Sequence, residues 1–337
     1  VLVFHHVAGQ ETLECLAASN GESLWKIGYP CDYQGGYGTG PGPRGTPCAA
    51  DGLVYSFGAA ATLQAVRLDS GEVVWRRSLQ KEFAVPEGFF GVGTSPMVDG
   101  GKLLVTVGAK QASLVAFDCK SGEIVWSATQ DEASYASPTT AVVDGRRRAL
   151  FFARSGLHVV DPDTGAVEGF FRWRARMNAS VNAATPIVVG DRVFISAEYG
   201  TGAAMLRLAD AGLETVWTSQ DAMSNHYDTC VYHDGYLYGV DGRQEFGARL
   251  RCTRWEDGRV AWTQEGFGCA ALILVGSRLL AWTEHGDVVL AEASPKAYRE
   301  LGRARVGRSE SRAYPALANG VLYVRTPDEL LAVDLRK

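Results

Sequence analysis

Two histidines, His226 and His285, stand in loop-like text beside tyrosines and carboxylates, and imidazole, which titrates near neutrality, is the side chain best suited to proton transfer there. Comparable stretches carry Glu198, Tyr199, Tyr227, Asp241, Arg243, Glu284 and Arg312, and further upstream Tyr37, Arg44, Phe89, Tyr135 and Asn182. Carboxylates, His and Arg that converge on one spot with Tyr and Phe as walls would bind a small polar molecule or a carbohydrate, or present a surface to a protein partner. Stronger chemistries lack their signatures. No nucleophile-elbow sequence surrounds a serine, so no Ser-His-Asp assignment is made. The glycine-rich run at 35–45 is followed by neither Lys-Ser/Thr nor a helix, so it is not a phosphate loop. His5, His6, His158 and His233 fall on strands or hairpin turns and read as structural. Seven cysteines, at 15, 31, 48, 119, 230, 252 and 269, are odd in number and without CxxC spacing, which assigns no metal site and fixes no disulfide.

The elements that must position these residues recur. Leu114–Phe117 alternates as a strand, Asp118–Gly122 has turn chemistry with a glycine for positive φ, and Glu123–Trp126 resumes as a second strand. Copies of this hairpin end at Trp25, Trp75, Trp217 and Trp262, and Leu157–Phe170 places Phe170 nearest the one gap in the series. Each hairpin is preceded by Ser/Thr-Pro or its equivalent, an apolar run, a turn and another strand, near Pro47, Pro96, Pro138, Pro186, Asp228, Cys269 and Pro315. Proline suits a strand start. The unit therefore has four strands, A to D, and its period of roughly 45–50 residues fits a propeller blade. Eight blades are counted in one domain, 1–337, with strand A missing from the first and strand D from the last. Val1 begins in mid-strand, so the expectation is that upstream residues complete the ring and carry any export signal. The loops from D to the next A, and from B to C, emerge on one face and hold every candidate named above.

With 46% hydrophobic and 21% charged residues the 337-residue chain can bury a large core. A net charge of −5 argues against nucleic acid as a partner, and Arg146–Arg148, the one triple basic run, reads as a solvated turn. No apolar run is long enough to cross a bilayer as a helix.

The unit seen as AVRLDSGEVVW and AFDCKSGEIVW resembles the tryptophan-docking repeat of the quinoprotein, or PQQ-like, β-propeller superfamily, and the resemblance spans nearly the whole chain. It implies an all-β, eight-bladed propeller with four-stranded antiparallel blades, with each indole filling the space between neighbouring blades. It also implies a periplasmic or otherwise extracytoplasmic setting. Relatives include cofactor-free assembly scaffolds and alcohol dehydrogenases holding pyrroloquinoline quinone and calcium. The reading taken is a cofactor-free binding protein acting through its loop-rich face. PQQ- and calcium-dependent oxidation of an alcohol or sugar is the first alternative, for which Glu198, Asn182, Asp241, Arg44, Arg243 and Trp282 would be cast. A carbohydrate-active enzyme using carboxylates and His is the second. The sequence leaves open whether the protein is catalytic.

Overall fold

The computed structural model describes residues 1–36, 39–210, 212–308 and 310–336, so Tyr37 lies outside the described residues. Among these, thirty strands form eight antiparallel sheets, each with its strands hydrogen-bonded in chain order. The fold is an all-β, eight-bladed propeller. Blades 2 to 7 have four strands and span 48–78, 97–128, 139–172, 187–219, 231–264 and 270–305; blade 1 (2–30) and blade 8 (316–334) have three. The A strands begin at Cys48, Met97, Thr139, Ile187, Val231, Ala270 and Ala316, where the proline-entered repeats put them. By internal packing the chain divides into two units, Val1–Arg174 with Val188–Arg192 and Leu208–Glu214, and Ala175–Ile187 with Val193–Arg207 and Thr215–Lys337. Each is described below by itself.

Sequence patterning follows strand position. In blade 3 the middle strands Lys102–Ala109 and Ala112–Asp118 are buried almost throughout, because a sheet covered on both faces needs apolar residues at odd and even positions alike. The outer strand Ile124–Ala128 buries Trp126 alone. A register shift recurs beside four of the tryptophans: Trp25 pairs with Cys15, Trp75 with Ala65, Trp126 with Ala116 and Trp262 with Cys252, each just before the shift. A bulge placed there re-aims the indole out of its own sheet.

The indole then docks on the next blade. Trp25 Nε1 donates to Leu68 O at 2.9 Å, Trp75 to Cys119 O at 3.0 Å, Trp126 to Pro162 O at 3.0 Å, Trp217 to Trp255 O at 3.1 Å and Trp262 to Ser294 O at 2.8 Å. In four of the five the ring lies on the turn glycine of that neighbour, Gly71, Gly122, Gly165 or Gly258, where a Cβ would stand 2.6 to 3.0 Å from indole carbons. The turn glycine therefore does two jobs. It supplies a left-handed φ, +74 at Gly165, and it leaves the seat flat.

Blade 4 corrects the expectation for Phe170. That ring is 47% exposed and stacks at 4.6 Å on His158 of its own sheet. The residue paired just before the shift is Gly169, opposite Val159. Gly169 lies flat against Gly212, whose Cα is 3.4 Å from where a Cβ would project, so no indole has room. The carbonyl an indole would take, Ala209 O, accepts instead from Arg148 Nη2 at 3.3 Å, and Arg148 Nε donates to Glu168 at 3.0 Å. Arg148 is 3% exposed, which corrects its reading as part of a solvated turn.

A pair of substitutions separates the two jobs of the glycine. Gly21, φ +77, has nothing within 4 Å of its missing Cβ, so Gly21→Ala should cost only left-handed strain, about 1 kcal/mol. Gly165→Ala adds a clash with Trp126 and should cost about 2–4 kcal/mol in denaturant unfolding. Equal losses would contradict docking on the glycine face.

Candidate functional site

In the second unit the D-to-A and B-to-C loops are joined. Asn225 bridges Gly242, and Gly242 N donates to Ser224 O at 2.9 Å. Asp241, at the end of strand Tyr236–Asp241, holds this junction rather than facing a ligand: it accepts from Ser224 N at 2.8 Å and pairs with Arg249 at 2.8 Å and Arg251 at 3.0 Å.

The loop beyond is a single turn of 3₁₀-helix, Gln244–Phe246, set between Gly242 and Gly247, both left-handed. The turn leaves Phe246 in solvent and Arg243 largely covered beneath it. The Arg243 guanidinium lies 4.9 Å from the Tyr199 ring and 4.8 Å from the Phe246 ring, with Glu198 at 3.3 Å, and Phe246 is 76% exposed. Tyr199 reaches this position from a left-handed backbone, φ +66, unfavourable for a residue with a Cβ. Its Oη is 2.9 Å from His226 Nε2, while His226 Nδ1 is 3.3 Å from Gln244. Burial pushes the imidazole down to about 4, which leaves it neutral at physiological pH. Four residues picked from the sequence, Glu198, Tyr199, His226 and Arg243, thus form one contiguous group.

His226 packs on Tyr227, 5.3 Å between rings, and Tyr227 opens a second feature, a shallow cleft with room for about one water molecule. Asp228, Glu284 and Trp282 line it, with Arg312 above the Tyr227 ring at 5.6 Å. Asp228 is 5% exposed; burial, and next the neighbouring Glu284, raise its carboxyl well above the usual range. Glu284 accepts the Cys269 N–H at 3.1 Å, and burial pushes the Cys269 thiol up to about 12. Asp228 is the residue the sequence reading passed over as a candidate. It stood in the loop text, and only enclosure singles it out. His285, by contrast, is exposed, and the contact it makes is through its carbonyl, taken by Arg305 at 2.7 Å. Asn182 is 3% exposed.

In the first unit Arg44, Phe89 and Tyr135 also meet. Arg44 Nε donates to Phe90 O at 3.1 Å and its guanidinium lies 5.9 Å from the Tyr33 ring; Phe90 N donates to Tyr135 Oη at 2.8 Å; Phe89 sits 5.1 Å from the Arg154 guanidinium. Two carboxylates there were not among the chosen candidates. Glu11, fully buried, accepts from Ala59 N at 2.7 Å and Tyr29 Oη at 2.9 Å, with its carboxyl raised by burial. Asp131 clamps the loop of its blade through Ser155 at 2.8 Å and His158 at 3.0 Å, so His158 has a structural role and a defined partner.

The residues cast for quinone and calcium do not fit that group. Calcium takes six or more oxygens, yet Asp241 is saturated by two arginines and an amide, and Glu198 is ion-paired with Arg243. Among the described residues no three His, Cys, Asp or Glu side chains are grouped to hold a metal ion. The cleft, with room for about one water molecule, is far smaller than the ~300 Å³ at which pockets begin to enclose drug-sized ligands.

Eight sheets, each built on a Gly-Glu-x-x-Trp hairpin or its variant, define the class: a PQQ-like repeat β-propeller. Within it, the chain belongs to the family described as outer membrane protein assembly factor BamB, whose model matches residues 9–264. It is 25% identical over 162 residues to the outer membrane protein assembly factor BamB of Yersinia pestis, covering 48% of this chain and 36% of that protein. It is 25% identical over 212 residues to the dehydrogenase subunit of the quinone alcohol dehydrogenase of Komagataeibacter europaeus, covering 58% and 26%. The chain thus spans little more than a third of these curated relatives at most. Among solved structures it is similar to BamB from Moraxella catarrhalis, with TM-score 0.68, 16% identity and coverage of 99% of this chain and 92% of that one. It is also similar to the quinohemoprotein alcohol dehydrogenase from Comamonas testosteroni, with TM-score 0.64, 12% identity and coverage of 95% and 68%. At these identities the likeness is one of fold.

His226 gives a test in pH. A neutral buried imidazole contributes stability that is full above its ordinary value of 6.5 and is lost as pH falls toward about 4. Asp228, whose carboxyl burial raises, works in the opposite direction, so the comparison must be with a variant. His226→Gln should lose less melting temperature than the parent between pH 6.5 and pH 4. Parallel pH profiles would contradict a buried neutral His226.

Proposed function

We propose that the chain is an extracytoplasmic protein-binding module of the assembly-factor kind, acting through the loop group around Arg243. The observation that carries this reading is the Arg243 guanidinium held between Tyr199 and an exposed Phe246. Arginine and large aromatics are the residue types that dominate binding energy at protein interfaces, and a stacked guanidinium loses little further freedom when a partner covers it. One curated relative is an outer membrane protein assembly factor, and the solved BamB is matched over nearly its whole length, which supports a scaffold over a dehydrogenase matched over two thirds. The same relatives support a setting at the periplasm or outer membrane. Among the described residues no helix is long and apolar enough to cross a membrane. A small polar or carbohydrate ligand is a lesser reading at this group, because its charged side chains already pair with one another.

The test is photo-crosslinking from Gln244, beside the stack, in intact cells of the source organism. A single envelope protein should be captured, and Phe246→Ala or Arg243→Ala should lower its yield at least tenfold, the loss of about 1.4 kcal/mol or more. Unchanged capture in both variants would overturn the assignment of this surface. PQQ- and calcium-dependent dye reduction by the purified protein would overturn the scaffold reading itself.

A further inference from the structure

The loop that carries Arg243 and Phe246 differs in build from its counterparts. Between strands B and C the other seven blades use two to four residues, whereas seven separate Asp241 from Arg249. A short link closes the hairpin and reaches no further; seven residues suffice for the 3₁₀ turn to stand out from it. Its base is tied down. Asp241 holds Ser224, Arg249 and Arg251, Gly268 N donates to Ala248 O at 3.0 Å, and Phe246 N donates to Arg243 O at 3.1 Å. At the tip stands Phe246, 76% exposed, a larger fraction than any other large hydrophobic side chain among the described residues. A benzyl ring held in water on a fixed, built-out turn contributes nothing to the core, and such a group belongs to a recognition surface.

Around this loop the exposed charges have one sign. Glu245, Glu265 and Asp221, whose carbonyl takes Arg251 Nη1 at 2.7 Å, are all exposed. The arginines of the group lie under them: Arg243 pairs with Glu198 and Glu245, Arg249 with Asp241 and Glu265, and buried Arg251 with Asp241. Arg312, exposed beyond the Tyr227 ring, lies beside Asp228 and is no part of this set. An apolar tip among carboxylates repels anionic lipid headgroups and nucleic acid, and it matches a hollow that is apolar at its centre and basic at its edge. We infer that the protein partner receives Phe246 in an apolar pocket whose rim carries lysine or arginine, which pair with Glu245 and its exposed neighbours. Phe246 supplies the anchor, and the carboxylates set orientation and the rate of encounter. Arg243, 4.8 Å from the ring, fixes the angle at which it enters. The inference rests on the protein-binding reading of the same loop and adds to it the chemistry of the surface that meets the loop.

Two arms test it with the whole chain in intact cells of the source organism. In the first, p-benzoylphenylalanine replaces Phe246, so that the photoreactive group takes the anchor's own place and mass spectrometry reads where it attaches. The expected attachment is to an apolar residue of the captured protein with lysine or arginine beside it. In the second, capture from a crosslinker at Gln244 is compared among variants at exposed positions, each of which should keep the melting temperature of the parent. Phe246→Asp should lower capture at least about tenfold and Phe246→Leu less than about threefold, because leucine still fills an apolar pocket. Glu245→Lys combined with Asp221→Lys should lower it about tenfold, because both then face a basic rim. Capture that depends on Phe246 but is unchanged by the double charge reversal, or attachment from position 246 within an acidic segment, would overturn the inference and leave the protein-binding reading standing. Capture unaffected by Phe246→Asp would overturn both.

Discussion

An indole lying on a glycine is the contact on which this molecule depends. Trp25, Trp75 and Trp126 leave their own sheets at a bulge, and these three with Trp217 cover the turn glycine of the next blade. Each N–H takes a carbonyl three residues before that glycine, at Leu68, Cys119, Pro162 and Trp255. The arrangement joins a local requirement, positive φ in a tight hairpin, to a non-local one, a flat seat for a neighbour. Because the same residue answers both, the spacing of Gly and Trp cannot drift, and the blades keep a common geometry while their loops vary freely. Blade 4 shows what happens when the indole is absent: the sheets close by glycine on glycine, and a buried arginine takes over the orphaned carbonyl.

The loops held by this frame do not form generic polar surface. Where Asp241 and Asp131 occur, a carboxylate anchors one loop to another and is spent in doing so. Such anchoring leaves a rigid platform on which other groups stand unspent: an exposed Phe246 against a stacked Arg243, and a Trp282 N–H without an acceptor among the described residues. Rigid support with unsatisfied groups at its edge is the physical basis for assigning recognition to this face. Quinone chemistry finds no such support, since the oxygens it would need are already neutralised by arginine.

Much of the fold was legible because its determinants are local. Strand alternation, turn glycines and the proline-marked A strands all lie within single repeats, and the strand starts at Cys48, Met97, Thr139, Ile187 and Ala316 follow them closely. Phe170 misled because an aromatic one residue from the expected offset looks like a displaced anchor, although counting four residues from Gly165 reaches Gly169. The loop residues were legible as a set but not as partners. Glu198, Tyr199, His226 and Arg243 come together, whereas His285 stays in solvent and Asp241 is consumed by arginines. Glu11, Asp228 and Arg148 were missed for one reason: whether a charged side chain on a strand or turn is enclosed depends on the blade beside it, and no spacing within the repeat records that.

The central claim is that the indoles are held between blades by hydrogen bonds to the neighbour's turn. Hydrogen exchange of the indole N–H groups, followed residue by residue in ¹⁵N-labelled protein, addresses it directly. The account predicts that the Nε1–H signals of Trp25, Trp75, Trp126, Trp217 and Trp262 persist long after exposed amides have exchanged. Their loss at the rate of a free indole, in an otherwise folded protein, would contradict it.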